Sequence, residues 1–368
     1  MAEAKETVLE INLNYLEHNY TYLKSKIENT TKFLAVVKAF GYGSDAITIA
    51  KHLETLNVDY FAVAYVSEGV ALRDHGITSP ILVLHPQPVN FETLIDRCLE
   101  PSLYSPKILK QFIAVAESKH QKEYPVHIKF NTGLNRLGFW ENDIDYIKGH
   151  LSNTNAIKAI SIFSHLAASE DLNEKQFTDA QIQTFNKISK DWQTKIGTAP
   201  FRHMCNTSGV LNYPEAHFDM VRCGIGLYGF GNSEKENKHL KPIASLKSVI
   251  SQIHKIEPNE SVGYNRAFKS SHYATIATIP IGHADGIGRQ YGNEVGYVII
   301  KGKKAPIVGN VCMDMIMIDI SDIDCKEGDE VIIFDANFSA ETLSGRTKSI
   351  SYELITGISQ RVKRKIIR

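Results

Sequence analysis

Apolar positions along the first two-thirds of the chain fall into two alternating textures. Leu16, Tyr20, Leu23 and Ile27 share one face of a 3.6-residue repeat and predict a helix. The apolar run FLAVVKAF follows with no polar alternation, as expected of a strand buried on both faces. The exchange then repeats. The runs YFAVAY, ILVLH, PSLYS, VHIKF, ISIFSHL and RHMCN are separated by helix-like AITIAKHLETL, SEGVALRDH, FETLIDRCL, SPKILKQFIAVAESK, ENDIDYIKGHL and a long segment around Gln176–Lys190. An eighth run, FDMVRCG, comes directly after RHMCN. Short continuous apolar strands between helices imply a parallel sheet covered by helices, and eight of them within residues 11–236 fit a (β/α)8 barrel.

Beyond Phe230 the texture changes. GNSEKENKHLKP reads as a polar linker, and ASLKSVISQIHKI, YATIATIPI, GYVII, VCMDMIMIDI and DEVIIF read as strands with short turns and few helical windows between them. The expectation is an α/β chain whose second domain, residues 237–368, is mostly β, with residues 1–10 contributing VLEIN as a pairing strand. The terminal RVKRKIIR reads as a solvated last strand or helix end.

Composition narrows the function. Lys+Arg and Asp+Glu balance at 41 each in 368 residues, which leaves no excess of positive charge for a nucleic-acid partner. The five cysteines are far apart and form no CxxC pair, so neither a disulfide framework nor a metal site is expected. The start MAEAKETVLE has no apolar stretch of the signal-peptide kind, and no run approaches the length of a membrane span. A cytoplasmic location is the expectation, with no membrane partner.

A barrel places its chemistry at the C-terminal ends of its strands. That rule selects Lys38, Lys129, Asn131, Arg136, His165, His203, Asn206, Thr207 and Arg222. A mouth this cationic suits an anion, most simply a phosphate together with a carboxylate. Gly224 and Gly226, after the eighth strand, would let backbone approach a phosphate. Lys38 has two readings: a desolvated lysine able to form a Schiff base, or one snorkelling to water from a strand end. His127 and His203 could be satisfied core histidines, and Arg136 a helix-surface residue. Met313, Met315 and Met317 read as packing on a strand, and Cys223 and Cys312 as small buried hydrophobes.

Taken together, AVVKAFGYG, VHIKFNTGLNRLGF, ISIFSHLA, HMCNTSG, VRCGIGLYG, SVGYNRAF, PIGHADGIGR, PIVGNVCMD and SYELITGIS resemble, in order, the motifs of the alanine racemases. The resemblance spans nearly the whole chain. It implies a pyridoxal-phosphate enzyme that interconverts L- and D-alanine, supplies D-alanine for peptidoglycan, and works as a homodimer with shared active sites. Lys38 would carry the cofactor and Tyr264, from the partner subunit, would be the second acid/base. Arg222 would face the pyridine nitrogen, with His165 bonded to it. Tyr42, Asn206, Thr207, Gly224, Ile225 and Tyr352 would hold the cofactor's phosphate end. Arg136 and the N–H of Met313 would hold the substrate carboxylate. Lys129 resembles a lysine that is carbamylated in many members, and Asp314 belongs to the second subunit's contribution. His283, Arg289 and Asn310 would lie at the entrance. Three positions depart from the family pattern: Asn131 for aspartate, His283 for tyrosine and Asn310 for arginine. Competing readings are a racemase of another or broader range, such as serine, a non-catalytic cofactor carrier, or a decarboxylase of the same fold.

Overall fold

The computed structural model describes residues 4–368. Eight parallel strands, Lys32–Val36, Tyr60–Val63, Ile81–Val83, Glu100–Leu103, Tyr124–Lys129, Ile157–Phe163, Phe201–His203 and Met220–Cys223, close into a barrel in chain order. Closure is made by Phe33 pairing with Val221. These strands are almost wholly buried, as their unalternating sequences require.

The outer helices carry their own start and stop signals. Asn12, Asp45 and Ser105 cap Leu13–Lys24, Ala46–Thr55 and Pro106–Ser118 by accepting from backbone N–H groups of the first turn. The long helix spans Lys175–Ile196 and ends at Gly197, whose φ of 81° suits glycine. Ile27 lies beyond the end of its helix at Lys24 but is still buried. One helix was not anticipated: Thr207–Asn212 sits between the last two barrel strands. It is too short for a periodic signal, and its marks are the Asn206 cap, which accepts from Gly209 N–H at 2.8 Å, and the proline that follows at Pro214.

The second unit is a nine-stranded sheet in the order Gln252–Ile256, Ala274–Ile279, Ile316–Asp319, Lys303–Val308, Tyr297–Ile300, Glu330–Phe334, Ala244–Val249, Val8–Asn12, Lys363–Ile367. Residues 1–3 of the expected N-terminal contribution lie outside the described residues. ASLKSVISQIHKI divides into two strands because the chain changes neighbours at its middle: Ile250 N–H donates to Asp329 and Ser251 N–H to Thr278. VCMDMIMIDI is extended only over Ile316–Asp319; Cys312–Met315 is a tight turn closed by Cys312 N–H to the Met315 carbonyl at 2.9 Å. Only Met317 therefore packs in a core, whereas Met313 and Met315 are exposed and Cys312 is half-buried. Two short helices, Ala340–Gly345 and Ser351–Thr356, complete this unit. The last strand is not simply solvated: Arg364 reaches back to the Gly43 and Ser44 carbonyls, 2.7 and 3.1 Å away, in the loop that follows the first barrel strand.

Candidate active site

The first barrel strand ends at Val36, and Lys38 opens a turn of unusual hand. Ala39, Phe40, Gly41 and Tyr42 have φ of 53°, 56°, 62° and 50°. Each non-glycine in that region costs about 1 kcal/mol or more, so the turn must be held from outside. Glu68 does part of this by accepting from Ala39 N–H at 2.6 Å, from Ala64 N–H at 2.7 Å and from Tyr65 N–H at 3.0 Å. Its carboxylate thus ties the first barrel loop to the second. Arg364 holds the far end of the turn. Gly43, at φ 79°, is fixed by space as well, since a Cβ there would lie 1.9 Å from the Ile355 carbonyl oxygen.

The turn brings Lys38 and Tyr42 to a cavity of about 520 Å³ at the C-terminal mouth of the barrel. Lys129, Arg136, His165 and Arg222 line the same cavity, and among the described residues no aspartate or glutamate does. The Lys38 amine is pushed below its ordinary range by burial, then by Arg136, with Glu68 opposing. Lys129 is depressed further, to about 8, by burial and by Arg222, Arg136 and Lys38. Its ammonium lies 5.8 Å from the centre of the Phe163 ring. Arg136 is not on a helix surface. It sits on a loop at the mouth and makes no ion pair among the described residues.

Arg222 is buried and, among the described residues, held without a carboxylate partner. It donates to His203 Nδ1 at 2.7 Å, to the Ser164 and Met204 carbonyls at 2.7 and 3.1 Å, and to His165 Nδ1 at 3.0 Å. Both imidazoles are held well below their usual pKa by burial first and by the Arg222 charge next, so both are neutral acceptors. Burial lowers Arg222 itself to about 10. His203 is therefore a satisfied core histidine that also orients an arginine of the cavity.

Elsewhere in the cavity lining the backbone approaches its neighbours too closely for a side chain. A Cβ on Gly224 would fall 2.3 Å from the Tyr42 hydroxyl, and one on Gly226 would fall 2.6 Å from a Thr207 methyl. Gly226 N–H donates to Thr207 Oγ1 at 3.2 Å, and Asn206, Thr207, Gly224, Ile225 and Tyr352 all line the cavity. Tyr42 stacks on Tyr228 with ring centres 4.4 Å apart, and burial keeps its phenol protonated. Tyr352 arrives from the β domain, its phenol raised to about 12 by burial. The structure thus assembles Lys38, Tyr42, Lys129, Arg136, His165, Asn206, Thr207, Arg222, Gly224, Ile225 and Tyr352 around one cavity.

It does not bring Tyr264, Met313, His283, Arg289 or Asn310 to that cavity within one chain. These lie on the β domain, with Tyr264 73% and Met313 58% exposed. Asn310 donates to the Tyr264 carbonyl at 3.1 Å, and His283 N–H donates to the Cys312 carbonyl at 2.9 Å. Asp314 is bound by Arg361 at 2.6 Å, and Arg361 also holds Asp285. Asn131 turns away from any charge role. Its Oδ1 accepts from Asn135 N–H at 2.9 Å and Gly133 N–H at 3.2 Å, and so shapes the loop carrying Arg136. An aspartate offers the same acceptor; the asparagine adds a donation to Asn135 Oδ1 at 2.9 Å.

Three residues that matter to the cavity escaped the sequence reading. Glu68 and Arg364 shape the Lys38 turn, and Asn232 lines the cavity together with Tyr352. Asn232 is held in turn by buried Glu236, which accepts from its backbone N–H at 2.8 Å. Glu68 had a local signal, its place in the first helical turn of Val66–Asp74. Arg364 had none, because its partners lie some 320 residues away in sequence.

A family profile described as "Alanine racemase, N-terminal domain" matches residues 11–231, and one described as "Alanine racemase, C-terminal domain" matches residues 243–366. "Alanine racemase 2" of Caldanaerobacter subterraneus subsp. tengcongensis is 34% identical over 371 residues, covering 98% of this chain and 95% of its own. "Alanine racemase" of Thermodesulfovibrio yellowstonii is 35% identical over 366 residues, covering 97% of each. Among solved structures, an alanine racemase of Clostridium difficile 630 superposes with a TM-score of 0.92 at 34% identity, covering 100% of this chain and 97% of that one. An alanine racemase of Bacillus anthracis with bound L-Ala-P superposes with 0.91 at 28% identity, covering 100% and 96%.

Proposed function

The chain belongs to the alanine racemase family, and from that premise we propose that it interconverts L-alanine and D-alanine with pyridoxal phosphate at the barrel mouth, supplying D-alanine for peptidoglycan. The observation that carries this reading is the cavity itself: a lysine with a lowered pKa, the further cationic or basic groups Lys129, Arg136, His165 and Arg222, no carboxylate among the described residues, and two glycines in the lining backbone. The donor set fits the cofactor. Lys38 would anchor it. Arg222 would present its guanidinium to the ring nitrogen, and the two glycines with Tyr42, Asn206, Thr207 and Tyr352 would take the phosphate. When bound, the cofactor supplies the electron sink that makes the substrate Cα–H acidic.

The rest follows from this chain's own groups. Arg136, free of ion pairs at the mouth, would hold the substrate carboxylate and so fix which face of Cα meets Lys38. Racemisation needs a second proton carrier on the opposite face. Within one chain the mouth offers no candidate at that face, whereas the β domain carries an exposed Tyr264 with exposed Met313 and Met315. Exposed tyrosine and methionine suit an interface. We therefore propose a homodimer in which Tyr264 of a second copy serves the opposite face, its Met313 N–H helps bind the carboxylate, and its His283, Arg289 and Asn310 border the entrance. Arg222, as a guanidinium that can only donate, would hydrogen-bond the ring nitrogen without giving up its proton.

The test is chirality and Cα exchange in D2O with the cofactor-loaded protein, offered L-alanine, L-serine and L-lysine. Racemisation fastest with alanine supports the proposal. A preference for serine or lysine would move it to another racemase, and bound cofactor with no exchange on any substrate would indicate a carrier.

A further inference from the structure

Arg222 is joined to a carboxylate on the far side of the barrel by an unbroken line of hydrogen bonds. From Arg222 the line passes to His203 Nδ1, and His203 Nε2 meets Ser161 Oγ at 3.0 Å. Ser161 Oγ meets His127 Nδ1 at 2.6 Å, and His127 Nε2 meets Glu100 Oε2 at 2.7 Å. Glu100 opens its barrel strand, and Arg222 is the penultimate residue of its own, so the line climbs the barrel interior from bottom to mouth. Ser161, His127 and His203 are fully buried.

The two ends fix the direction of every bond between them. A guanidinium can only donate, so His203 Nδ1 accepts and its Nε2 carries the proton. That proton goes to Ser161 Oγ, which leaves the serine hydroxyl to donate to His127 Nδ1. His127 then carries its proton on Nε2 and donates it to Glu100, which as a carboxylate can only accept. His203 is neutral, since a proton on its Nδ1 would face Arg222 donor-to-donor, and His127 cannot give up its Nε2 proton without facing Glu100 acceptor-to-acceptor; with one proton on each ring the Ser161 hydroxyl has His127 Nδ1 as its acceptor. Aligned bonds of this kind polarise one another in a dry interior. The rings are also held mechanically: Phe163 stacks on His203 with centres 4.6 Å apart, and Tyr60 and Phe201 meet the His127 ring edge-on.

We propose that Glu100, His127 and Ser161 are positioning residues which, through His203, hold the Arg222 guanidinium charged and in one orientation. Arg222 has no carboxylate of its own among the described residues, and Glu100 is the counter-charge delivered through three neutral groups. No proton moves along the line; it holds protons in place. The catalytic consequence rests on the reading that Arg222 faces the cofactor ring, but the relay itself does not.

Side-chain nitrogen NMR of histidine-labelled, cofactor-loaded protein tests it. His127 and His203 should both read as neutral rings protonated at Nε2. An imidazolium, or a ring protonated at Nδ1, at either position overturns the relay. In Ser161→Ala His203 should stay protonated at Nε2, because Arg222 alone dictates that, but its Nε2 signal should shift as the N–H loses its acceptor, and kcat should fall about tenfold, the worth of roughly one net hydrogen bond, with KM for L-alanine nearly unchanged. Glu100→Gln retains an acceptor but removes the charge, and should lower kcat in the same way if Ser161→Ala proves unfolded. An unchanged kcat in either folded variant overturns the positioning role. If the wild-type protein racemises nothing, the functional reading falls, and the tautomers still decide the relay.

Discussion

Lys129 is a cation disfavoured by its place at the mouth. A folded-state pKa depressed from 10.5 to about 8 means that its ammonium is disfavoured by roughly 3 kcal/mol relative to the unfolded chain. The unfolded state binds more protons than the folded one between these values, so stability rises with pH there. The penalty is fully present below about pH 8 and fades as pH approaches 10.5. Urea melts of the cofactor-free protein at pH 7 and pH 10 should therefore show wild type gaining relative to Lys129→Met as pH rises. An unchanged difference would place Lys129 in water. The same depression leaves a substantial fraction of free amine near neutral pH, the form that adds carbon dioxide to give a carbamate and release a proton. A carbamate would replace one cation by an anion beside Arg136 and Arg222. Protein equilibrated with labelled bicarbonate should show one bound carbamate carbon that Lys129→Met lacks. At this scale the sequence was legible where position alone implied chemistry: Lys38, Lys129, His165 and Arg222 follow from the rule that barrel strands end at the site. It was not legible where a residue acts by holding another. Asn131 looked like a missing charge and is a turn-maker, and Glu100 looked like nothing.

The Lys38 turn shows how elements far apart in sequence build one local conformation. Its left-handed residues are intrinsically disfavoured, and their neighbours offset that cost from three directions: Glu68 from the next barrel loop, Arg364 from the last strand, and the Ile355 carbonyl against Gly43. Arg364 also donates to the Ile358 and Val362 carbonyls at 2.9 and 2.6 Å, so one guanidinium fastens the end of the β domain to the start of the site. Arg364→Ala should lower the unfolding free energy by about 2–3 kcal/mol, as expected for charged hydrogen bonds left without a donor. It should also slow capture of the cofactor by Lys38, because the turn loses its far anchor. A variant with wild-type urea midpoint and wild-type capture would show that the turn holds itself. Gly43→Ala should be worse, since it meets both a disfavoured φ and a backbone oxygen. Periodicity predicted the barrel strands well because each is buried on both faces and reads as a continuous apolar run. It failed for Lys303–Val308, which opens on exposed lysines, left Lys363–Ile367 open between strand and helix end, and missed the six-residue helices Thr207–Asn212, Ala340–Gly345 and Ser351–Thr356, whose length gives periodicity too little to act on.

At the scale of the whole molecule, a single chain holds the cofactor end of the proposed site but not the second proton carrier, the Met313 N–H or the entrance residues. Lys38 lies in the barrel cavity, while Tyr264 is 73% exposed on the β domain and does not line that cavity. The two can meet only if a second copy brings its β domain to the first copy's mouth. Two-fold symmetry makes such contacts reciprocal, so a dimer has two sites, each with Lys38 from one chain and Tyr264 from the other. Lys38→Ala and Tyr264→Phe should each be inactive alone. In a mixed dimer one site carries both defects and the other carries neither. Random reassortment of equal amounts gives about half heterodimers by chance, with one good site of two in each, so the mixture should recover about a quarter of wild-type activity. Refolding or subunit exchange of differently tagged variants, followed by isolation of the heterodimer, checks the count directly, since that species alone should show half the activity per dimer. An isolated heterodimer with no activity would mean that Lys38 and Tyr264 serve the same site from the same chain, or that Tyr264 is not the second carrier. Tyr264→Phe that is active by itself would remove it from the chemistry altogether. Recovery near the expected fraction would show why the chain needs its β domain: the barrel binds and activates, and the partner's sheet supplies the other face.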